Sequence, residues 1–156
     1  MEHRFVGILV NDSWYRAIPR GRMYHESLSN YEHAGRQHGV VPCFFRIKDI
    51  RPGQREIVAY VRTATGYRKC RIPAPKVIHN RTLYTKNRRP LRDIRALIDD
   101  GKLVFNEWNR YGKHRIHEVL REDPSLREHL PETRMATPDN ILKMMETHDQ
   151  LILKPN

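Results

Sequence analysis

An uninterrupted apolar run near the N-terminus is the sequence feature that most constrains the fold. Residues 5–10 (FVGILV) carry no polar side chain that could face water, and the run ends at Asn11 and Asp12. Continuous runs of this length are typical of strands that are covered on both faces, as in sheets lying between layers of helices. The run therefore predicts a buried strand that opens an α/β fold.

The later segments alternate between strand and helix patterns. Strands are predicted at residues 40–50, 76–81, 103–105 and 151–153, and a hairpin of residues 56–63 and 66–72 turns around Ala64, Thr65 and Gly66. A helix is predicted at residues 24–38, closed by Gly39, and two more are predicted from apolar stripes: Leu91, Ile94, Leu97 and Ile98, and then Ile116, Val119 and Leu120. Two short helices are predicted to start at Asp123-Pro124 and Thr137-Pro138. In the second of these, Ile141, Leu142 and Met145 are predicted to face inward. Residues 13–25 are predicted as a loop. The pattern indicates an α/β domain with a mainly parallel sheet, flanking helices and an inserted antiparallel hairpin.

Two domains are predicted, with a boundary near residue 121. Residues 1–121 form a self-contained α/β pattern, whereas residues 122–156 contain two short helices and one strand. That last strand, residues 151–153, is followed directly by Lys154 and Pro155. A lone strand needs neighbours for its backbone hydrogen bonds. We therefore expect its partners in a missing segment or in another chain.

The net charge of +11 indicates affinity for something anionic: nucleic acid, nucleotide phosphates, or an acidic partner or surface. No apolar run approaches the about 20 residues that cross a bilayer, and the N-terminal run is too short for a signal peptide. The protein is therefore expected inside the cell and away from the membrane. Cys43 and Cys70 form no CxxC pair, so packed, reduced thiols are expected there.

A basic run suggests nucleic-acid binding but carries no accompanying motif. From Arg81 to Lys102, counting both, the chain holds seven basic residues, with Tyr84 among them. Phosphates attract fixed cations and bases stack on aromatic rings, yet a solvated loop and helix face would have the same composition. Without a recognisable binding motif, nucleic acid is the least favoured of the anionic partners.

No catalytic residues and no metal site are predicted from the residues. His114 and His117 lie three apart on a predicted helix, near Glu118, but they lack a third ligand in register and are typical of a polar face. The glycines stand alone, so a glycine-rich phosphate loop is absent from the 156 residues. Lys113 and Lys154 flank predicted elements where a lysine can hold a phosphate as a point charge, although each is also compatible with an ordinary surface position.

Taken in order, several short segments resemble one family. The segments are GILV, PKVIHNR, VFNEWNRYGKHRIHEVL, HLPETR and LILKP. They are similar to the YheC/YheD family, which are ATP-grasp-like proteins associated with the endospore coat. The features that match are Asn80-Arg81, Phe105-Asn106, Lys113, Leu130-Pro131-Glu132-Thr133 and Leu153-Lys154-Pro155.

The resemblance implies an N-terminal portion of such a protein. Residues 1–121 would be the pre-ATP-grasp-like α/β domain, and residues 122–156 would begin an incomplete ATP-grasp domain. Lys113 and Lys154 would be the two lysines that contact the nucleotide. The complete family protein is expected to use ATP and magnesium in a carboxylate–amine ligase type of reaction. Because the glycine-rich loop and the magnesium ligands do not occur in this sequence, we expect no tight cofactor binding and no turnover by these residues alone.

The remaining predictions concern the substrate-binding residues, the location and the alternative function. Ligands of open α/β sheets bind at the carboxyl ends of strands, which makes Asn11, Arg16 and Arg81, together with Trp14 and Arg20, candidates for an anionic substrate or for plain loop surface. A cytoplasmic, forespore or spore-coat location is expected. The alternative is a basic module that docks on an acidic spore-coat partner or self-associates through its terminal strand.

Overall fold

A computed structural model of the chain describes residues 4–22, 26–83, 89–107 and 111–154. The chain forms two compact units, Met1–Asn109 and Arg110–Asn156. The division predicted near residue 121 falls within the helix Lys113–Glu122 of the second unit. As a boundary between the domains of a family fold, it stays a prediction. Within the described ranges, no helix combines the length and apolarity that crossing a membrane requires.

The first unit is built on a six-stranded sheet. Its strands are β1 (Phe5–Leu9), β2 (Val41–Phe45), β3 (Glu56–Thr63), β4 (Gly66–Pro73), β5 (Val77–Asn80) and β6 (Leu103–Phe105). Its helices are α1 (Asp12–Ala17), α2 (Leu28–His38) and α3 (Arg89–Asp99), with 3-10 turns at Ile18–Arg20 and Ile47–Asp49. The strand order is β4-β3-β2-β1-β5-β6, in which β1, β2, β5 and β6 are parallel and the β3–β4 hairpin is antiparallel. The predicted mixed α/β architecture is therefore confirmed.

Strand β1 lies inside the parallel part of the sheet, with β2 on one side and β5 on the other. The chain passes from β1 through α1 and α2 to β2 on one side, and from β5 through α3 to β6 on the other. Leu9 of β1 is opposite both Phe45 of β2 and Asn80 of β5. In doubly wound sheets a crevice opens at the carboxyl ends of the strands where the order reverses. In this chain the reversal lies between β1 and β5.

The sheet is covered on both faces, which explains the continuous apolar run of β1. On one face Leu9 and Phe45 belong to a core cluster that includes Leu97 of α3. On the other face Ile8 belongs to a cluster with Tyr15 of α1. Successive side chains of a strand point to opposite faces, so a strand covered on both sides needs apolar residues at consecutive positions.

Two predicted chain reversals are confirmed. In the hairpin Thr63 is paired with Gly66, which leaves a two-residue turn. Gly39 ends α2 in the left-handed region at φ 64°, and its N–H donates to the carbonyl oxygen of Gly35. Glycine carries no Cβ penalty at such a φ value, which is why the sequence identifies this helix end.

The prediction of a loop over residues 13–25 is wrong for its first part, where the chain forms the short helix α1. Tyr15 and Ile18 of this segment are buried in the core. Helices this short are not stable on propensity alone, and tertiary packing decides them. Residues 23–25 lie outside the described part of the chain, so the helix predicted over residues 24–38 is observed from Leu28 onward.

Residues 111–154 of the second unit contain three helices: α4 (Lys113–Glu122), α5 (Pro124–Arg127) and α6 (Pro138–Met145). The predicted caps are confirmed. The Asp123 carboxylate accepts a hydrogen bond from the N–H of Ser125 at 2.9 Å, and the Thr137 hydroxyl accepts one from the N–H of Asn140 at 3.3 Å. Each cap satisfies an N–H group that the helix start leaves without an intrahelical partner.

Two expectations for the second unit are wrong. Residues 151–154 form no regular secondary structure, and Ile152 and Leu153 are 83% and 65% exposed. Within the described residues no strand lies beside this segment, so its apolar pattern lacks the ladder that makes a strand. Leu142 and Met145 are 63% and 62% exposed instead of facing inward. Among residues 111–154 no side chain is buried, so the apolar stripes of α4 and α6 remain accessible.

Candidate functional site

The carboxyl ends of β1 and β5 place two of the predicted residues at one edge of the sheet. Asn11 precedes α1 and follows the end of β1, and Arg81 follows β5. The N–H of Arg81 donates to the carbonyl oxygen of Leu9 at 2.9 Å, which fixes the chain at the point where the strand order reverses. This edge is the position at which doubly wound sheets bind ligands.

The buried side chain of Asn80 holds the segments of this edge together. Its side chain is 1% exposed, and its Nδ2 donates to the carbonyl oxygens of Asn106 and Glu107 at 3.1 and 3.3 Å. Its Oδ1 accepts from the N–H of Thr82 at 3.1 Å and from the Thr82 hydroxyl at 2.5 Å. In return, Asn106 Nδ2 donates to the carbonyl oxygen of Asn80 at 2.9 Å. Asn80 therefore joins the ends of β5 and β6 and is a positioning residue for Arg81.

The Arg81 guanidinium lies against the carboxylate of Glu26, which comes from the connection before α2. Its Nη2 donates to Oε1 of Glu26, and the hydroxyl of Tyr31 donates to Oε2 of the same carboxylate. The side chain of Glu26 is 13% exposed and that of Arg81 35% exposed. The Nε of Arg81 is buried and has no hydrogen-bond partner among the described residues. A partly buried guanidinium and a phenol thus hold the two oxygens of one carboxylate.

A second group of charges lies at the end of β2. Arg46 donates to both oxygens of Asp49 at 2.8 and 2.7 Å and to Asp12 at 3.1 Å. Its guanidinium also lies 4.0 Å from the centroid of the Tyr15 ring. Lys48 and Arg46 beside Asp12 lower the pKa of its carboxyl group, and Asp49 raises the pKa of Arg46. Since Arg46 is engaged by two carboxylates and a ring, we assign it to holding the loops of this edge together.

His79 lies beneath the edge, on the face that carries α2. Its ring stacks on Phe105 at a centroid distance of 4.4 Å and lies 6.5 Å from Tyr31. Burial lowers the pKa of His79 from its ordinary value of 6.5 because the charged imidazolium loses hydration there. His79 is therefore neutral at pH 7 and packs as an aromatic ring.

The lowered pKa of His79 makes stability depend on pH. Below about pH 6.5 the unfolded chain protonates this histidine more readily than the folded chain. The stability contributed by neutral His79 is thus fully present above that value and is lost as the pH falls toward the folded pKa. We expect His79→Gln to reduce the drop in unfolding free energy between about pH 7.5 and about pH 5.5, measured by urea denaturation. The exposed His38→Gln serves as control, and equal pH dependence in all three proteins would contradict the assignment.

The remaining predicted residues lie apart from this edge or are exposed. Arg16 is an exposed residue in the last turn of α1. Lys113 begins α4 and Lys154 lies in the irregular segment after α6, and both are exposed residues of the second unit. Of the basic run, Tyr84, Lys86 and Arg88 lie outside the described residues.

Metal ligation has no cluster to support it in the described ranges. There, no three His, Cys, Asp or Glu side chains lie close enough to share an ion. Nε2 of His114 instead lies 3.5 Å from a carboxylate oxygen of Glu118, one turn along α4. Among the residues that the structure describes, the carboxylates thus form no cluster of the kind that binds magnesium.

Sequence reasoning missed Glu26 and Tyr31. Glu26 is 55 positions from Arg81, and no local pattern links the two. The role of Asn80 had a sequence signal: an asparagine at the end of an apolar strand, two residues before Thr82, is typical of a side chain that bonds the backbone two residues on.

Comparison with known proteins supports the predicted resemblance over part of the chain. A comparison with curated proteins finds no match. The family model described as YheC/D like ATP-grasp matches residues 101–156, which are 56 of the 156 residues. The matched part includes β6, α4 with Lys113, and Lys154. Residues 101–156 are therefore similar to the YheC/YheD family of ATP-grasp-type proteins, as the sequence motifs predicted.

Proposed function

We propose that this chain is the N-terminal part of a YheC/YheD-type ATP-grasp protein. In this proposal the first unit is the pre-ATP-grasp domain, and Lys113 and Lys154 contact the phosphates of ATP. The family match over residues 101–156, which contains both lysines, is the observation that carries the proposal. The exposure of both lysines also supports it, because an ammonium group must be accessible to reach a phosphate.

The proposed contribution of this chain is binding and orientation. ATP-grasp ligases activate a carboxylate as an acyl-phosphate before an amine attacks it, and bound magnesium supplies charge neutralisation at the transferred phosphoryl group. The described carboxylates form no cluster that fits such an ion. The two lysines would orient the phosphates, while Asn11, Arg16 and Arg81 would face the substrate. By themselves these residues would not turn over a substrate.

Alanine substitution of each lysine tests the proposal. We expect Lys113→Ala and Lys154→Ala each to weaken ATP binding about tenfold, since a hydrogen bond to a charged group contributes about 1.5–3 kcal/mol. Binding is measured by NMR titration of the purified chain with ATP. Lys143→Ala, an exposed lysine of α6, is the matched control. Unchanged affinity in both lysine variants, or ATP-dependent ligase turnover by the purified chain, would contradict the proposal.

A second candidate function is a basic module that docks on an acidic partner, in the spore coat if the family location holds. The hairpin favours it: Arg62, Lys69 and Arg71 lie on one of its faces and are all exposed. The NMR titration separates the two functions. Salt-sensitive binding of an acidic spore protein, with no effect of ATP, would favour docking.

A further inference from the structure

We propose that the crevice at Arg81 is a binding site for a carboxylate-bearing small molecule, and that Glu26 occupies it in the unliganded protein. This names the substrate class of the edge to which the proposed function assigns substrate contacts, and it rests on that assignment. Binding and release of the carboxylate involve no covalent step. The ligand carboxylate takes the place of the Glu26 carboxylate on Arg81 and Tyr31.

The site at Arg81 already recognises a carboxylate. Arg81 and Tyr31 donate separately to the two oxygens of Glu26. A guanidinium and a hydroxyl at fixed positions read the planar, two-oxygen geometry of a carboxylate group. Tyr31 is held in place because its ring packs edge-on against the buried Phe44, with a centroid distance of 5.7 Å. Both donors are thus set by the fold: Arg81 is tied to β1 through its backbone, and Tyr31 to the core.

Glu26 leaves one donor of the site without a hydrogen bond. It contacts Arg81 at Nη2, whereas the buried Nε of Arg81 has no partner within the described part of the chain. Buried donors without a hydrogen bond are uncommon in folded proteins, and each costs free energy. A carboxylate that approaches the guanidinium side-on bonds Nε and Nη2 together, which is the geometry that arginine prefers. A ligand therefore gains a hydrogen bond that Glu26 does not make.

Glu26 also borders a cleft of suitable size and charge. Glu26 lies outside any helix or strand, one residue before Ser27 at the start of α2. It lines a cleft of about 600 Å³ together with Arg20, Arg22 and Ser29. Clefts of this volume accommodate small molecules. Two further guanidinium groups beside the cleft favour a ligand that is anionic overall.

Glu26→Ala with propionate as the probe tests the inference. Propionate has the length of the side chain that the substitution removes. In the wild-type protein a ligand has to compete with Glu26, so its apparent affinity is reduced by the fraction of molecules in which the site is open. We expect propionate to bind Glu26→Ala at least about tenfold more tightly than the wild type, measured by NMR titration of the Tyr31 and His79 resonances without nucleotide.

Matched variants define the outcomes. Glu32→Gln changes a nearby glutamate, one on α2, which accepts a hydrogen bond from Tyr67 at 3.0 Å, and should bind propionate like the wild type. The double variant Glu26→Ala/Arg81→Ala should lose the gained affinity. If Glu26→Ala does not fold, Glu26→Gln is used in its place. Equal propionate affinity in wild type and Glu26 variant, or persistence of the gain without Arg81, overturns the proposal, and so does inorganic phosphate binding as tightly as propionate.

The experiment is separable from the test of nucleotide binding. Lys113→Ala and Lys154→Ala should leave the propionate affinity of Glu26→Ala unchanged. Loss of ATP binding with retained carboxylate binding would leave this site in place and remove the nucleotide role. The reverse result would remove this site alone.

Discussion

Replacement of Phe45 with alanine is expected to lower the free energy of unfolding by about 3–5 kcal/mol, the range for large core aromatics. Phe45 is fully buried at the end of β2 and belongs to the core that α3 covers. A Cβ atom on Gly7 would lie 2.6 Å from Cε1 of this ring. The ring therefore fills the space that the missing side chain of residue 7 leaves free. Truncation opens a cavity in the core between the sheet and α3.

Urea denaturation of wild type and variant measures this loss. Phe105→Ala is the matched control because Phe105 is 45% exposed, and it should cost much less. Gly7→Ala in the wild type and in the Phe45→Leu background forms a double-mutant cycle with Phe45→Leu. The methyl group added at residue 7 should lower the free energy of unfolding less beside the smaller side chain. A loss below about 1 kcal/mol for Phe45→Ala would be inconsistent with this packing.

The layered fold could be predicted from the sequence because its signals are local. The apolar run of β1, the alternation in the hairpin, and the left-handed glycine after α2 each express a physical requirement of a few consecutive residues. Gly101, with φ of 83°, ends α3 in the same way. Strand order, by contrast, depends on which strands share a face. It emerged only with the pairing of Leu9 between Phe45 and Asn80.

The errors also have physical reasons. Helix α1 is six residues long, too short to display a helical period, and its buried Tyr15 belongs to a cluster formed by distant segments. The predicted strand at residues 151–153 had the right composition but finds no ladder among the described residues. A strand is stable through its neighbours, so its residues alone do not determine it.

Part of the candidate edge could be predicted from the sequence. Asn11 and Arg81 follow apolar strands, and strand ends are where ligands of such sheets bind. The partner of Arg81 could not be foreseen, because Glu26 comes from the connection before α2 and reaches across the crevice. Charge composition predicted an anionic ligand for Arg81, whereas the structure gives this guanidinium an internal carboxylate. The residues at the edge were identifiable, and their contacts were not.

Replacement of Asn80 with alanine is expected to destabilise the first unit by about 3 kcal/mol. The change removes the partner of two carbonyl groups, those of Asn106 and Glu107, and of the N–H and hydroxyl of Thr82. Each buried polar group left unpaired costs about 1–3 kcal/mol, and water reaching the edge recovers part of the sum. Urea denaturation gives the total. Hydrogen exchange shows whether β6 and the segment after β5 loosen first.

Asn80→Asp divides the network into its two halves. The carboxylate keeps the oxygen that accepts from Thr82 but places its second oxygen against the carbonyl oxygens of Asn106 and Glu107. Because a buried, unpaired charge is costly, we expect a loss at least as large as that of Asn80→Ala. Asn30→Ala, at an exposed position of α2, is the control and should cost less than about 1 kcal/mol. If Asn80→Ala were as stable as this control, the network would not hold β5 to β6. With the network broken, Arg81 would lose the backbone position that places its guanidinium, and carboxylate binding should weaken together with stability.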